Sequence, residues 1–120
     1  EGETILVVED NERLRNATRD LLELLGYRVV TAPNGSEALD RVRAGPRFDL
    51  VLTDVVMPEM SAEELIRTLK GIDPDLRVLA MSGYVVEDER RALEAAGAID
   101  VLTKPLTVDT LSEAIGRALR

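Results

Sequence analysis

The stretch ILVVEDN at residues 5–11 decides the fold, because four consecutive apolar residues run directly into three polar ones. Short apolar runs that are rich in β-branched residues are typical of buried parallel strands rather than half-exposed antiparallel ones. Similar runs return at nearly even intervals, at Val29–Val30, Leu50–Leu52, Val78–Met81 and Ile99–Leu102. The sequence therefore predicts five buried parallel strands.

Segments with helical periodicity follow each of these runs. In the first segment four leucines share one face, at positions 14, 21, 22 and 25, and Gly26 marks its end. The second begins at Asn34 and ends at Gly45-Pro46, and the third begins at Ser61, with a glutamate three residues on that suggests a capping box. The last begins at Thr107 and carries a clean apolar stripe. Five helices are predicted.

The fourth helical segment, Glu87–Ala96, differs from the others. It begins with five charged residues, and its apolar side is mostly alanine. We therefore expect this helix to pack more loosely than its neighbours.

Strict alternation of strand and helix predicts an α/β fold with right-handed crossovers. Its arrangement is a doubly wound five-stranded parallel sheet, flavodoxin-like (βα)5, with strand order 2-1-3-4-5. No linker, repeat or low-complexity segment interrupts the pattern, so we expect one domain over residues 1–120. The first residue is Glu1 rather than Met, which favours a piece excised from a longer protein over N-terminal processing.

The composition excludes several classes of chemistry. The chain has neither His nor Cys, which rules out Ser-His-Asp triads, cysteine nucleophiles, disulfides and zinc sites made of these residues. Its 15 basic and 23 acidic residues give a net charge of −8, and only 2% of residues are aromatic, so direct nucleic-acid binding is not expected. No apolar run approaches the length of a membrane span, and we expect a soluble cytoplasmic protein without membrane contact.

Polar residues end the predicted strands at the edge where ligands bind in such sheets. Glu9 and Asp10 end the first strand and Asp54 ends the third, which is its neighbour in the sheet. Three carboxylates in one place repel each other unless a cation lies among them. Oxygen ligands of this kind suit Mg²⁺, and Lys104 at the end of the fifth strand supplies a further positive charge.

Each of these residues also has a simpler interpretation. Asp10 or Asn11 could cap the first helix, and Asp54 could be a turn-forming carboxylate. Ser82, before a glycine, could belong to a turn, and Lys104 could be a solvated surface lysine. The bond from Lys104 to the following proline is a candidate for a cis peptide.

Four separated motifs in this order resemble the receiver domains of two-component response regulators, including those attached to hybrid histidine kinases. The motifs are residues 5–11, 49–58, 81–84 and 103–105, with the sequences ILVVEDN, DLVLTDVVMP, MSGY and TKP. The resemblance covers essentially the whole chain.

The resemblance implies that Asp54 accepts a phosphoryl group from a phosphohistidine on a partner, which is a histidine kinase or a histidine phosphotransfer domain. Ser82 is then the hydroxyl that moves to the phosphoryl oxygen, and Lys104 the cation that pairs with it. The surface of the fourth helix, fifth strand and fifth helix would be read by an output partner. As an isolated domain the chain would not be an enzyme, although it assists its own phosphorylation and dephosphorylation.

The same resemblance implies an Mg²⁺ site. Asp10 and Asp54 would bind the ion directly, together with the backbone carbonyl of Val56, and Glu9 would act through water or the outer coordination sphere. An ionised carboxylate suffices as the nucleophile, and the protein contributes alignment and charge neutralisation.

Two positions depart from the family pattern. Val101 stands where many members carry a switch aromatic, and Ala62 stands where a glycine is common in the loop after the third strand. Tyr84 could screen the site or be simply an exposed loop residue. The Ser82–Tyr84 sequence is similar to that of receivers at the end of hybrid sensor kinases.

Two other functions are compatible with this fold. One is a pseudo-receiver, a phosphorylation-independent protein-interaction module that keeps the fold without using the aspartate. The other is an enzyme on the same fold, such as a flavin carrier or a dehalogenase-type phosphatase. The enzyme is disfavoured because the chain has no glycine-rich phosphate loop and has Val56 where such a phosphatase needs a second aspartate.

Overall fold

Five strands alternate with five helices in the computed structural model, which describes residues 2–45 and 47–120. The strands are β1 (Thr4–Val8), β2 (Arg28–Ala32), β3 (Leu50–Asp54), β4 (Arg77–Ser82) and β5 (Asp100–Thr103). The helices are α1 (Glu12–Leu24), α2 (Gly35–Ala44), α3 (Ala62–Ile72), α4 (Glu87–Ala96) and α5 (Val108–Ala118).

All five strands are parallel, and their order in the sheet is β2-β1-β3-β4-β5. The predicted doubly wound fold and strand order are confirmed. The order reverses between β1 and β3, where Val8 pairs with Thr53 near the carboxyl ends of both strands. This register brings the residues that follow β1 beside the end of β3.

Two apolar layers cover the sheet, one on each face. Alternate residues of a strand point to opposite faces, so Leu6 and Val51 pack with α2, α3 and α4, whereas Ile5 and Leu50 pack with α1 and α5. Every residue of β3 is buried. The central strands are therefore fixed from both sides, which gives their carboxyl ends a rigid support.

The prediction of strands buried on both faces is wrong for β2, which lies at one edge of the sheet. Its residues alternate in exposure, and Val30 remains 37% exposed. At the opposite edge, β5 begins at Asp100 rather than at Ile99, which is 47% exposed. An edge strand has one neighbour, so its burial depends on the helices beside it and not on its own sequence alone.

Side-chain caps begin four of the helices. Asn11, Asn34, Ser61 and Thr107 each accept a hydrogen bond from the backbone N–H three residues later. The predicted starts at positions 34, 61 and 107 are therefore confirmed. Pro46, expected to end α2 with Gly45, lies outside the described residues.

One leucine of α1 departs from the predicted buried face. Leu22 is buried, but Leu14 in the first turn is 45% exposed and lines a groove between α1 and the segment after β5. Within the described parts of the chain, no helix combines the length and the apolar character that a membrane span needs.

Candidate functional site

Three carboxylates meet at the carboxyl ends of β1 and β3. Glu9 and Asp10 directly follow β1, and Asp54 is the last residue of β3. Each offers one oxygen within 4.8 Å of the others. Glu9 and Asp54 are buried, at 1% and 5% exposure, whereas Asp10 faces solvent. The predicted cluster is present, with two acids inside and one at the entrance.

Lys104 reaches into this cluster from the end of β5. Its Nζ lies 3.1 Å from Glu9 Oε1 and 3.1 Å from Asp54 Oδ2. The peptide bond between Lys104 and Pro105 is cis, as the sequence suggested. The interpretation of Lys104 as a solvated surface residue is therefore wrong, because the ammonium bridges two buried carboxylates.

The environment shifts the pKa of Lys104 and that of Glu9. Burial would lower the pKa of Lys104, but its hydrogen bonds and charge interactions with Glu9 and Asp54 raise that pKa above its usual value. Burial raises the pKa of Glu9, opposed by hydrogen bonds from the Asn11 N–H and Lys104, and the charge of Asp54 raises it further. The lysine therefore stays charged at neutral pH.

The turn after β1 separates the roles of Asp10 and Asn11. The Asn11 side chain caps α1 by accepting from the Leu14 N–H at 3.0 Å, and the Asn11 N–H donates to Glu9 Oε2 at 3.2 Å. Asn11 therefore makes the capping interaction for which Asp10 was the alternative. The carboxylate of Asp10 is left available at the entrance of the cluster.

Backbone groups surround Asp54. The Val56 N–H lies 3.4 Å from Asp54 Oδ1, and the Val55 N–H donates to the Met81 carbonyl at 3.0 Å. Val56 itself is exposed on the loop. An N–H near the carboxylate is a donor of the kind that stabilises charge on a transferred group.

The loop from β3 to α3 accommodates the departure at Ala62 without strain at that residue. The positive backbone angle of the loop falls at Glu59, with φ 75°, and Ala62 begins α3 as a buried residue.

Met60 packs against Gly35 at the start of α2, where a Cβ atom would lie 2.9 Å from the Met60 sulfur. A residue at position 35 larger than glycine would therefore require the Met60 side chain to shift.

Ser82 lies at the end of β4 with its hydroxyl held by the following loop. Its Oγ donates to the Tyr84 carbonyl at 2.9 Å and accepts from the Tyr84 N–H at 3.3 Å. The Lys104 N–H donates to the Ser82 carbonyl at 2.8 Å, which couples β4 to β5 at the site. Ser82 thus lies beside the cluster with its hydroxyl bound to the loop, and Tyr84 is largely exposed.

Two arginines that the sequence did not single out make tertiary contacts, and one of them is beside the site. Arg15 of α1 donates to the Glu9 carbonyl, and Arg90 of α4 donates to the Asp100 carboxylate. Their only sequence signal is a basic residue near the start of a helix. The partners follow from the turn and from the strand edge, which become neighbours only in the folded chain.

The donors of the cluster fit a hard divalent cation. They are carboxylate oxygens, one of them exposed, and this is the ligand type through which Mg²⁺ usually binds while it keeps several waters. Thiolate or imidazole ligands, which softer metals prefer, are absent from the sequence.

Comparison with known proteins gives a consistent family. The family model "Response regulator receiver domain" matches residues 5–116. Transcriptional regulatory protein ZraR of Klebsiella oxytoca is 40% identical over 115 residues, covering 96% of this chain and 26% of ZraR. Response regulator receiver protein CpdR of Brucella abortus is 36% identical over 115 residues, covering 96% of this chain and 95% of CpdR. The chain thus spans about a quarter of one relative and nearly all of another.

A solved structure agrees in fold and in sequence. Response regulator protein TrrA from Thermotoga maritima, crystallised in complex with Mg(2+)-BeF, matches with a TM-score of 0.87 at 30% identity, over 98% of this chain and 99% of TrrA. With five strands in the order found here and a family match over nearly the whole sequence, this chain belongs to the response regulator receiver domains of two-component signalling.

Proposed function

We propose that Asp54 is the phosphoryl acceptor of a phosphorelay and that a partner phosphohistidine is the donor. A carboxylate oxygen of Asp54 attacks the phosphorus, the phosphorus–nitrogen bond to the donor imidazole breaks, and the bonding electrons leave with that imidazole. The product is an acyl phosphate on Asp54. The observation that carries this proposal is the ammonium of Lys104, 3.1 Å from a buried aspartate at the sheet edge.

The surroundings of Asp54 suit a reaction that needs alignment more than covalent chemistry. Lys104 would pair with the arriving phosphoryl oxygens, and the Val56 N–H would donate to them. Asp10 and Asp54 would hold Mg²⁺ together with the Val56 carbonyl, while Glu9 acts through water. When bound, Mg²⁺ supplies charge neutralisation for the phosphoryl oxygens. No general base is required, because a carboxylate is already ionised at neutral pH.

The signal would pass through Ser82. Formation of a phosphoryl group on Asp54 offers the Ser82 hydroxyl an anionic acceptor in place of the Tyr84 carbonyl. Moving the hydroxyl would release the loop before α4 and shift the surface formed by α4, β5 and α5. Val101 is buried at the position where many family members have an aromatic residue. This chain would therefore couple the movement of Ser82 to that of the α4, β5 and α5 surface without the rotation of an aromatic side chain.

The cellular setting is also part of the proposal. Residues 1–120 would form one receiver domain in the cytoplasm, and its partner would be a histidine kinase or a histidine phosphotransfer domain. Origin from a hybrid sensor kinase remains our interpretation of the Ser82–Tyr84 sequence. Similar sequences occur both as almost whole proteins and as parts of longer ones.

The test is direct phosphorylation of the domain. Incubation with Mg²⁺ and acetyl phosphate should add the mass of one phosphoryl group to the wild type, as measured by intact-protein mass spectrometry. Asp54→Asn should abolish the adduct, whereas Asp40→Asn, at an exposed site on α2, should leave it unchanged. An unreduced rate in Asp54→Asn contradicts the assignment. The absence of any adduct on the wild type favours the phosphorylation-independent interaction module instead.

Metal binding gives a second check on the same site. Asp10→Ala should weaken Mg²⁺ binding sharply, because it removes the exposed carboxylate of the cluster. Titration calorimetry measures the affinity, and an unchanged value contradicts the role of Asp10.

A further inference from the structure

The backbone of the turn between β1 and α1 determines where Glu9 and Asp10 point. The two acids are consecutive residues outside regular structure, so no strand or helix bond fixes both of them. The Glu9 N–H donates to the Ala32 carbonyl of β2 at 3.1 Å, which anchors the start of the turn. The Glu9 carbonyl follows a buried residue at the end of β1 and is open to a side-chain donor.

Arg15 supplies that donor from the first turns of α1. Its Nη1 lies 3.1 Å from the Glu9 carbonyl and 3.5 Å from the Asp10 carbonyl. One half-buried guanidinium group thus spans the backbone of both acids. Helix α1, which carries Arg15, is also joined to the turn by the Asn11 cap. The turn is therefore held to α1 by two contacts, the guanidinium of Arg15 and the cap.

The charge of Arg15 is not used in an ion pair. Over residues 2–45 and 47–120, the structure has no carboxylate within salt-bridge distance of its guanidinium. By contrast, Arg19, one helical turn further, pairs with the exposed Asp20 carboxylate at 3.2 Å. Arg15 therefore holds backbone oxygens while its positive charge lies beside a cluster of three acids.

We propose that Arg15 is a positioning residue for the acidic pair. By binding the carbonyls of Glu9 and Asp10, it fixes the backbone from which both carboxylates project, and so sets the affinity of the site for a divalent cation. The inference rests on the proposed function in its use of Mg²⁺. Residues that orient the ligands of a metal in this way typically change metal affinity by roughly 10–100-fold when they are lost.

The experiment compares Arg15→Met with Arg19→Met in the full chain. Both substitutions remove one positive charge from α1, and this loss by itself would strengthen cation binding, but only Arg15→Met removes the contacts to the turn. Titration calorimetry with MgCl₂ should give an affinity at least roughly tenfold lower for Arg15→Met than for Arg19→Met. At saturating Mg²⁺ the phosphorylation rate with acetyl phosphate should largely recover, because the acceptor and Lys104 are unchanged. Equal Mg²⁺ affinities in the two variants overturn the proposal.

A metal-free measurement keeps this inference separate from the proposed function. The Asn11 N–H bonds to Glu9 Oε2, so its hydrogen exchange should be faster in Arg15→Met than in Arg19→Met without any metal. Unchanged exchange contradicts the positioning role even when the wild type is phosphorylated. If the two variants differ in this exchange but the wild type accepts no phosphoryl group, only the proposed function is contradicted.

If Arg15→Met does not fold, Arg15→Lys replaces it in both measurements. A lysine keeps the charge but carries it on a flexible stem instead of a planar guanidinium, so it should hold the two carbonyls less firmly. Mg²⁺ affinity should then lie between those of the wild type and Arg15→Met, or below the wild type where only the lysine variant folds. Wild-type affinity and wild-type exchange in Arg15→Lys contradict a role for the guanidinium contacts.

Discussion

Helices α3 and α4 are neighbours on the same face of the sheet, yet different forces hold them. Helix α3 begins at the Ser61 side-chain cap and buries four residues, which are Ala62, Leu65, Ile66 and Leu69. Helix α4 follows Val86, which makes no side-chain capping bond, and it buries only Leu93 and Ala96. The looser packing predicted from the charged start of α4 is confirmed by this difference.

Polar contacts compensate in part for the thin core under α4. Arg90 donates to the Asp100 carboxylate at 2.7 Å and to the Val101 carbonyl at 3.3 Å, which ties the helix to the edge strand β5. Such contacts between half-exposed groups stabilise far less than a buried leucine. On this face, therefore, α4 can shift at the smaller cost, and it is the helix that follows the Ser82 loop.

The largest expected effect comes from the same truncation in both helices. Leu69→Ala should lower the free energy of unfolding by about 2–5 kcal/mol, because Leu69 is fully buried in a well-anchored helix. Leu93→Ala should cost less within this range, since α4 can move into the space left behind. Urea denaturation of the metal-free protein measures both values. A cost for Leu93→Ala that equals or exceeds that for Leu69→Ala removes the distinction between the helices.

Removing the side-chain cap of α3 and adding one to α4 should reduce the difference between the two helices. Ser61→Ala should destabilise the domain by about 0.5–2 kcal/mol, because the Glu64 N–H loses its acceptor. Val86→Ser should stabilise it by about 1 kcal/mol, since Val86 already has the extended backbone of a cap, with φ −102° and ψ 148°. Thermal unfolding followed by circular dichroism gives the sign of each change. If Val86→Ser is no more stable than the wild type, the missing side-chain cap is not what limits the stability of the start of α4.

The smallest effect on stability is expected from Arg90→Met. The ion pair is partly exposed, so its loss should cost less than about 1 kcal/mol. The local effect should be clearer, because amide exchange across α4 should accelerate while that of α3 stays unchanged. Arg91→Met is the matched control, since among the described residues Arg91 pairs with acids of its own helix alone. If the two variants give equal exchange rates in α4, the contact with β5 does not hold the helix.

The sequence predicts the fold and the composition of the cluster because both depend on local pattern. Short apolar runs fix the strands, and the polar residues that end them must meet where parallel strands share an edge. Glu9, Asp10, Asp54 and Lys104 therefore come together as expected. The capping ambiguity between Asp10 and Asn11 needs the backbone of the turn, which the sequence leaves open.

The remaining features depend on partners that are distant along the chain. The Ser82 hydroxyl bonds to the loop at Tyr84, and the Asp100 carboxylate at the start of β5 accepts from Arg90 of the preceding helix. The same holds for Arg15, whose side chain reaches back to a turn rather than to an acid. Periodicity and residue type carry no information on such contacts.

The ion pair of Lys104 with Glu9 joins positions 95 residues apart in the chain. During synthesis from the N-terminus, Glu9 and Asp54 leave the ribosome well before the lysine that neutralises them. A nascent or truncated chain without β5 therefore carries the repulsion of the acids without the ammonium between them. Neutralisation of the carboxylate cluster thus requires that β5 has docked, so an incomplete polypeptide lacks the charge balance of the finished site.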